Sequence, residues 1–285
     1  MAAARKMGRS LLLSFFLLTF ALTWIAWTLV LVVPDNIWVF GVGGPIFLLG
    51  VFTPALVAVA LTWYSQGRQS VLLLLARIPK WQVGAHLYLF AVVYMAATKL
   101  IAALVHRLAI GAWPAFGDTP WPVMVGAILV STWAQAGEEI GWRGYALPLL
   151  ASNLGLCGAS LLLGILWALW HLPLFFIQGG GSEGQSFPIY LLYVMALSVA
   201  FAWLYWKSDG SLLLVMLMHA SANNTTGIVP ASLSNAVDPF SLSGSLVAWV
   251  SVGVSWLVAA FLLYNMRGAN IAAFLSVNQP PMRRR

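Results

Sequence analysis

Apolar residues fill this chain in long runs separated by short polar segments, which is typical of a protein that crosses a membrane repeatedly. The first run, 11–33, has 23 residues. At about 1.5 Å per residue it is long enough to cross a hydrocarbon core of roughly 30 Å. Further runs of spanning length are 45–64, 83–105, 123–149, 158–177, 187–206, 211–229 and 246–264. The pattern therefore predicts an all-α, polytopic membrane helical bundle with about eight transmembrane helices.

The amino-terminal run has a basic flank, as a secretory signal peptide does. It is longer than the apolar region of such a peptide, and no A-x-A cleavage site follows it. We therefore expect an uncleaved first span. Because no internal repeat or soluble linker interrupts the chain, residues 1–285 are interpreted as a single membrane-embedded domain.

The composition excludes a soluble globular domain. Hydrophobic residues make up 61% of the chain and charged residues only 7%, whereas soluble domains carry about 25% charged residues. The single cysteine, Cys157, excludes an internal disulfide framework and iron–sulfur or zinc sites built from cysteines.

The basic residues predict how the chain is oriented. With the amino terminus in the cytosol, eleven of the 14 basic residues lie in predicted cytosolic segments, and Arg107 lies outside. The eleven are Arg5, Lys6, Arg9, Arg68, Arg77, Lys80, Lys207, Arg267, Arg283, Arg284 and Arg285. This bias follows the positive-inside rule, so we predict cytosolic amino and carboxyl termini and no nucleic-acid partner.

Polar residues cluster in the fourth predicted span, where ionisable groups are costly and are therefore candidates for function. Glu139 and Arg143 have the i, i+4 spacing of a helical ion pair. Glu138 lies about 100° round the helix and is expected to have no partner in its own segment. Such a carboxylate suits general acid or base catalysis. The alternative is that both acids only hold helices together.

Two later spans carry further polar residues. His171 lies in the fifth span, where a hydrogen-bonded core histidine is the alternative to a catalytic one. His219 and Asn223 are one turn apart on one face of the seventh span, and Thr226 continues this stripe. The pair is suited either to stabilising an oxyanion or to interhelical hydrogen bonding.

The predicted depths of Glu138, His171 and His219 in the membrane differ by no more than about 8 Å, so all three fit one pocket in the cytosolic half or near the midplane. Lys99 lies deep in the third span. Pairing with an acid or snorkelling is favoured there over a catalytic role, and a water-filled cavity is a third setting.

Three motifs in residues 123–227 resemble those of the CAAX prenyl protease and bacteriocin-processing (CPBP) family, an eight-span group of intramembrane endopeptidases. The family pattern is E-E-x-x-x-R, then F-x-x-x-H, then H-x-x-x-N or H-x-x-x-B. Here the motifs are Glu138-Glu139 with Arg143, Trp167 with His171, and His219 with Asn223. Trp167 replaces the usual phenylalanine.

The resemblance implies hydrolysis of a peptide bond, with Glu138 and His171 activating water while His219 and Asn223 stabilise the oxyanion. Glu139 and Arg143 would support the site. The resemblance also implies a metal-free mechanism, although the family was long described as metal-dependent. We predict no cofactor. The alternative is zinc, with Glu138, His171 and His219 as ligands, but no H-E-x-x-H motif is present.

The resulting hypothesis is a multi-pass intramembrane endopeptidase whose active site faces the cytosolic side. Its partners would be the lipid bilayer and a peptide or prenylated-protein substrate. The alternatives are a non-enzymatic immunity or scaffold protein and a small proton-coupled transporter, although the latter should show repeat symmetry. The sequence leaves the substrate and the oligomeric state open.

Overall fold

The computed structural model describes residues 2–32, 44–177, 182, 184–231 and 238–278, and all regular elements in these ranges are helical. The α-helices are α1 (Ala2–Val32), α2 (Pro45–Gln66), α3 (Arg68–Leu75), α4 (Ala85–Ile110), α5 (Trp121–Ala134), α6 (Ala136–Glu139), α7 (Leu147–Trp170), α8 (Phe187–Lys207), α9 (Leu212–Thr225), α10 (Leu246–Met266) and α11 (Ile271–Asn278). A π-helix, Ile140–Ala146, joins α6 to α7, and 3₁₀ turns follow α7 and α9.

The predicted all-α membrane bundle is confirmed, but the number of about eight spans is not. Six helical stretches of the described chain are long and apolar enough to cross a membrane. One of them, Trp121–Trp170, has 50 residues and covers the predicted fourth span and most of the fifth. Gly155, which lies between those two predicted spans, interrupts it with non-helical backbone angles. The predicted seventh span is the 14-residue α9, which is shorter than the roughly 20 residues that cross a bilayer.

The predicted fourth span is not one regular helix. Helix α5 ends at Ala134, the short α6 carries both glutamates, and the π-helix carries Arg143. The Leu147 N–H donates to Trp142 O, five residues earlier, as a π-helical turn requires. Such turns insert one extra residue into a helix. Residues after the turn therefore point in a different direction, relative to those before it, than they would in a regular α-helix.

Small residues let the helices that carry the motifs pack closely. A Cβ atom on Gly141 would lie 2.6 Å from Pro54 Cβ, and one on Gly164 would lie 2.7 Å from Met195 Cα. Glycine therefore permits the contact of α2 with the π-helix and of α7 with α8. These contacts bring the glutamate segment and the His171 segment against the same core.

Connecting segments meet at two opposite ends of the bundle. At one end the Leu212 N–H donates to Arg77 O at 3.0 Å, and Lys80 Nζ donates to Asp209 O at 2.8 Å. At the other end the Gly117 N–H donates to Ile228 O at 3.1 Å. The first end carries the segments predicted to be cytosolic, but which end faces the cytosol stays a prediction.

Several basic residues behind that prediction cannot be placed. Arg283, Arg284 and Arg285 lie outside the described residues, and the described part of the chain does not include the side chains of Arg5, Lys6 and Arg9.

Candidate active site

A cavity of about 590 Å³ lies inside the bundle, and it brings the four predicted catalytic residues together. Glu138, His171, His219 and Asn223 all line it. They come from α6, the end of α7, and α9, so the three motifs that are separate in the sequence converge on one space. Apolar and aromatic side chains form much of the remaining wall.

Glu138 is buried, with 6% of its surface exposed, and is held by two indoles. Trp167 Nε1 donates to Glu138 Oε2 at 2.7 Å, and Trp142 Nε1 donates to the same oxygen at 3.4 Å. The expectation that Glu138 has no partner in its own segment is therefore wrong, because Trp142 lies four residues further along. The other oxygen, Oε1, lies 3.9 Å from His219 Nε2.

The predicted pair of Glu139 and Arg143 is confirmed. Arg143 Nη1 donates to both carboxylate oxygens, at 2.9 and 3.1 Å, and both side chains are fully buried. The guanidinium lies 4.1 Å from the ring centroid of Trp167 and 4.4 Å from that of Phe201. Charge pairing and these cation–π contacts together offset part of the cost of burying the cation.

His219 contacts both glutamates. Its Nδ1 lies 2.8 Å from Glu139 Oε1. Because a carboxylate oxygen only accepts, Nδ1 carries the proton of this hydrogen bond. The remaining nitrogen, Nε2, faces Glu138 and donates a hydrogen bond only when the ring is the imidazolium cation.

His171 ends α7 and is oriented by its own helix. Its Nδ1 lies 2.8 Å from Trp167 O, and this carbonyl can only accept. The neutral ring therefore has an unprotonated Nε2. No hydrogen bond or ion pair joins His171 to Glu138 among the described contacts, although both line the cavity. The ring also packs edge-on against Trp170, with centroids 4.6 Å apart.

The predicted polar stripe of α9 lines the cavity. Asn223 is exposed there, one turn after His219, and Thr226 continues the stripe. The neighbouring Asn224 has a different role, because its amide donates to Ser131 Oγ at 2.9 Å and to Ala220 O at 2.8 Å. Asn223 therefore faces the cavity while Asn224 ties α9 to α5.

The three residues named above as possible zinc ligands, Glu138, His171 and His219, all line the cavity. Within the described part of the chain, no group of three or more His, Cys, Asp or Glu residues is arranged to hold a metal ion. The Nδ1 atoms of both histidines and Oε2 of Glu138 are engaged by protein groups. Metal independence itself stays a prediction that requires a chelation experiment.

Sequence reasoning missed the two indole donors, and it named a cavity only as the third alternative for the setting of Lys99. The i, i+4 spacing of Glu138 and Trp142 was a usable signal for the first indole. The contact with Trp167 depends on how two helices pack, and no spacing reveals it. Lys99 was expected to pair or snorkel, but it is 4% exposed, lines the cavity, and has no hydrogen bond or ion pair with any described residue.

One comparison with known proteins matches the segment that carries the motifs, and a second finds a relative of known name. A family model described as type II CAAX prenyl endopeptidase, Rce1-like, matches residues 119–225. A protein named CAAX prenyl protease 2 from Methanococcus maripaludis is 29% identical to the chain over 153 residues. That alignment covers 51% of this chain and 51% of the relative, so the chain spans about half the length of the relative that it matches.

Proposed function

We propose that this chain is a member of the CAAX prenyl protease and bacteriocin-processing family and acts as an intramembrane endopeptidase that hydrolyses a peptide bond of a membrane-associated substrate. The observation that carries the proposal is the convergence of Glu138, His171, His219 and Asn223 on one cavity. This set combines two candidate bases with two candidate hydrogen-bond donors, which peptide hydrolysis requires.

The proposed nucleophile is water, activated by Glu138 and His171. Oε1 of Glu138 and Nε2 of His171 are the atoms that remain to accept its proton, because their partner atoms Oε2 and Nδ1 are already hydrogen-bonded. The resulting hydroxide forms a bond to the scissile carbonyl carbon. The proton then passes to the leaving amine as the C–N bond breaks.

His219 and Asn223 are the proposed donors to the oxyanion that forms on the carbonyl oxygen. As imidazolium, His219 would donate from Nε2, because its Nδ1 is held by Glu139. Asn223 would donate from its side-chain amide at the exposed end of α9. Donors fixed in advance in a water-poor site stabilise such a charge strongly.

Glu139 and Arg143 are proposed to support the site without touching the reacting atoms. Glu139 holds Nδ1 of His219 at 2.8 Å and is itself held by Arg143. Both charged groups are fully buried, so they have no contact with the cavity. Their role would be to fix the orientation of the His219 ring.

A prenylated CAAX tail is the proposed substrate class. The family description and the name of the relative both refer to CAAX prenyl proteolysis. A lipidated peptide would also reach a cavity that lies between membrane-spanning helices with exposed apolar outer faces. We propose that the active site and both chain termini face the cytosol, as the distribution of basic residues predicts.

The test is cleavage of quenched fluorescent CAAX-tail peptides, farnesylated and unprenylated, by the purified full-length protein in lipid nanodiscs. Glu138→Gln should lower kcat by about 10²–10⁴-fold, as loss of a general base does, and leave the melting temperature unchanged. Glu139→Gln breaks a buried pair, which costs about 3–5 kcal/mol, so it should lower the melting temperature. Activity should survive a chelator.

Three outcomes would contradict parts of the proposal. Loss of cleavage on chelation, with recovery on adding zinc, would contradict the metal-free mechanism. Equal destabilisation by both glutamine variants would contradict the separate roles of the two glutamates. If the well-folded protein cleaved no peptide, the endopeptidase proposal would be wrong and an immunity or scaffold role would be favoured.

A further inference from the structure

Lys99 is a buried cation that the proposed chemistry does not use. It lies in α4, is 4% exposed, and lines the same cavity as the motif residues. It has no hydrogen bond or ion pair with any residue that the structure describes. A lysine within a membrane-spanning helix is costly, and such residues usually face a partner or a ligand pathway.

The position of Lys99 relative to the motif residues follows from the packing of α4 on α9. The segment before α4 contacts the start of α9, through the bond from the Leu212 N–H to Arg77 O. Near the other end of α4, Ala102 and Ala103 pack with Val229, which follows α9. The two helices therefore run in the same direction, and heights along them can be compared.

Lys99 lies about 10 Å beyond His219 along the helix axes. Counted along α4, Lys99 lies about 5 Å before Ala102 and Ala103. Counted along α9 and the 3₁₀ turn after it, His219 lies about 15 Å before Val229, which packs against those two alanines. Three residues of extended peptide span about 10 Å. A peptide bond at His219 is thus about three residues away from a group at the level of Lys99.

We propose that Lys99 binds the free carboxylate at the carboxyl terminus of the substrate. A CAAX tail has three residues after its cysteine and ends in such a carboxylate. A carboxylate bound at Lys99 would place the bond that follows the cysteine at Glu138 and His219. This inference rests on the proposed function. It adds two features that the site would recognise, namely the number of substrate residues after the cleaved bond and the negative charge at the end of the substrate.

The charge balance of the cavity supports this assignment. The described acids that line the cavity are limited to Glu138, and the indoles already hold one of its oxygens. An anionic end group would therefore pair with Lys99 in a cavity lined largely by apolar and aromatic side chains, where charge pairing is stronger than in bulk water. An amidated end would leave the ammonium without its counter-ion.

The experiment compares one farnesylated CAAX peptide as its free acid and as its carboxyl-terminal amide. The wild-type protein should cleave the acid at least about tenfold more efficiently in kcat/KM, mainly through a lower KM. Lys99→Met should reduce this preference towards one, and Lys99→Arg should retain part of it. Lys207→Met, which removes an exposed lysine at the end of α8, is the matched control and should behave as wild type.

Binding of the same two peptides to the Glu138→Gln variant separates this inference from the proposed function. A preference for the acid that depends on Lys99, without cleavage by the wild-type protein, would overturn only the endopeptidase proposal. Cleavage of both peptides with equal efficiency, or a preference for the acid that persists in Lys99→Met, would overturn the carboxylate site. Absence of both cleavage and acid preference would overturn both.

Discussion

Trp167 occupies the position where the family pattern has phenylalanine, and the difference matters for Glu138. Its indole donates to Glu138 Oε2 at 2.7 Å, while Trp142 donates at 3.4 Å. A phenylalanine ring would keep the contact with the Arg143 guanidinium but would not donate a hydrogen bond. In this chain the orientation of Glu138 therefore depends on a side chain from a different helix.

Trp167→Phe should lower kcat by about 10-fold or more, with a smaller change in KM. Hydrogen bonds to charged groups contribute about 1.5–3 kcal/mol, and the lost bond orients a proposed base. Steady-state cleavage of a farnesylated CAAX peptide is the measurement. Trp63→Phe is the control, because Trp63 is 58% exposed at the end of α2. A larger loss from Trp142→Phe would contradict this ranking of the two donors.

At the residue scale, spacing along one helix was informative and contacts between helices were not. The i, i+4 rule predicted the pair of Glu139 and Arg143, and it placed His219 and Asn223 on one face. The contact of His219 with Glu139 joins residues 80 positions apart. The length of this contact and the tautomer of His219 depend on how α9 packs against α6, and no local sequence pattern encodes that packing.

At the scale of elements, the π-helix and its glycines decide how the glutamate segment packs. A Cβ atom on Gly141 would meet Pro54 Cβ at 2.6 Å and the Pro54 backbone at 2.7 Å. The π-helix cannot move far because it connects directly to α6 and α7, and Pro54 is held within α2. The apolar periodicity of residues 123–149 predicted a regular helix, since one inserted residue barely changes the average hydropathy of a span.

Gly141→Ala should lower the melting temperature by several degrees, because overpacking typically costs about 1–3 kcal/mol. Gly253→Ala is the matched control. Gly253 lies in α10, and a Cβ atom added there would meet no described atom within 4 Å, so alanine should leave the melting temperature unchanged or raise it slightly. Thermal unfolding of both variants in the same detergent is the measurement. Equal melting temperatures would contradict a tight contact between α2 and the π-helix.

At the scale of the whole molecule, the bundle has two ends that the charge distribution assigns to opposite sides of the membrane. We predict that, with the protein produced in a bacterial plasma membrane, Thr119 lies on the side opposite the cytosol and Gln69 lies in the cytosol, and both residues are exposed. In a Cys157→Ser background, Thr119→Cys should react with an impermeant maleimide in intact cells. Gln69→Cys should react only after permeabilisation. The reverse pattern would invert the proposed orientation of the active site.

The fold class followed from the lengths of the apolar runs, but the number of spans did not. Run length counts every stretch of about 20 apolar residues as a span. The gap between the predicted fourth and fifth spans does contain Gly155, which interrupts the 50-residue helical stretch, but run length cannot detect that the seventh run ends its α-helix at Thr225. The end of that helix depends on backbone angles and on packing inside the bundle. Hydropathy varies little there, so it does not reveal where the helix ends.

Helix α9 has 14 residues, so it is about 21 Å long and shorter than the hydrocarbon core of roughly 30 Å. Beyond its end, Thr226 and Gly227 are exposed and line the cavity. A helix that stops within the thickness of the bilayer leaves room for solvent to enter from that side. If the proposed hydrolysis takes place, this gap at the end opposite the proposed cytosolic face would offer a route by which the consumed water is replaced.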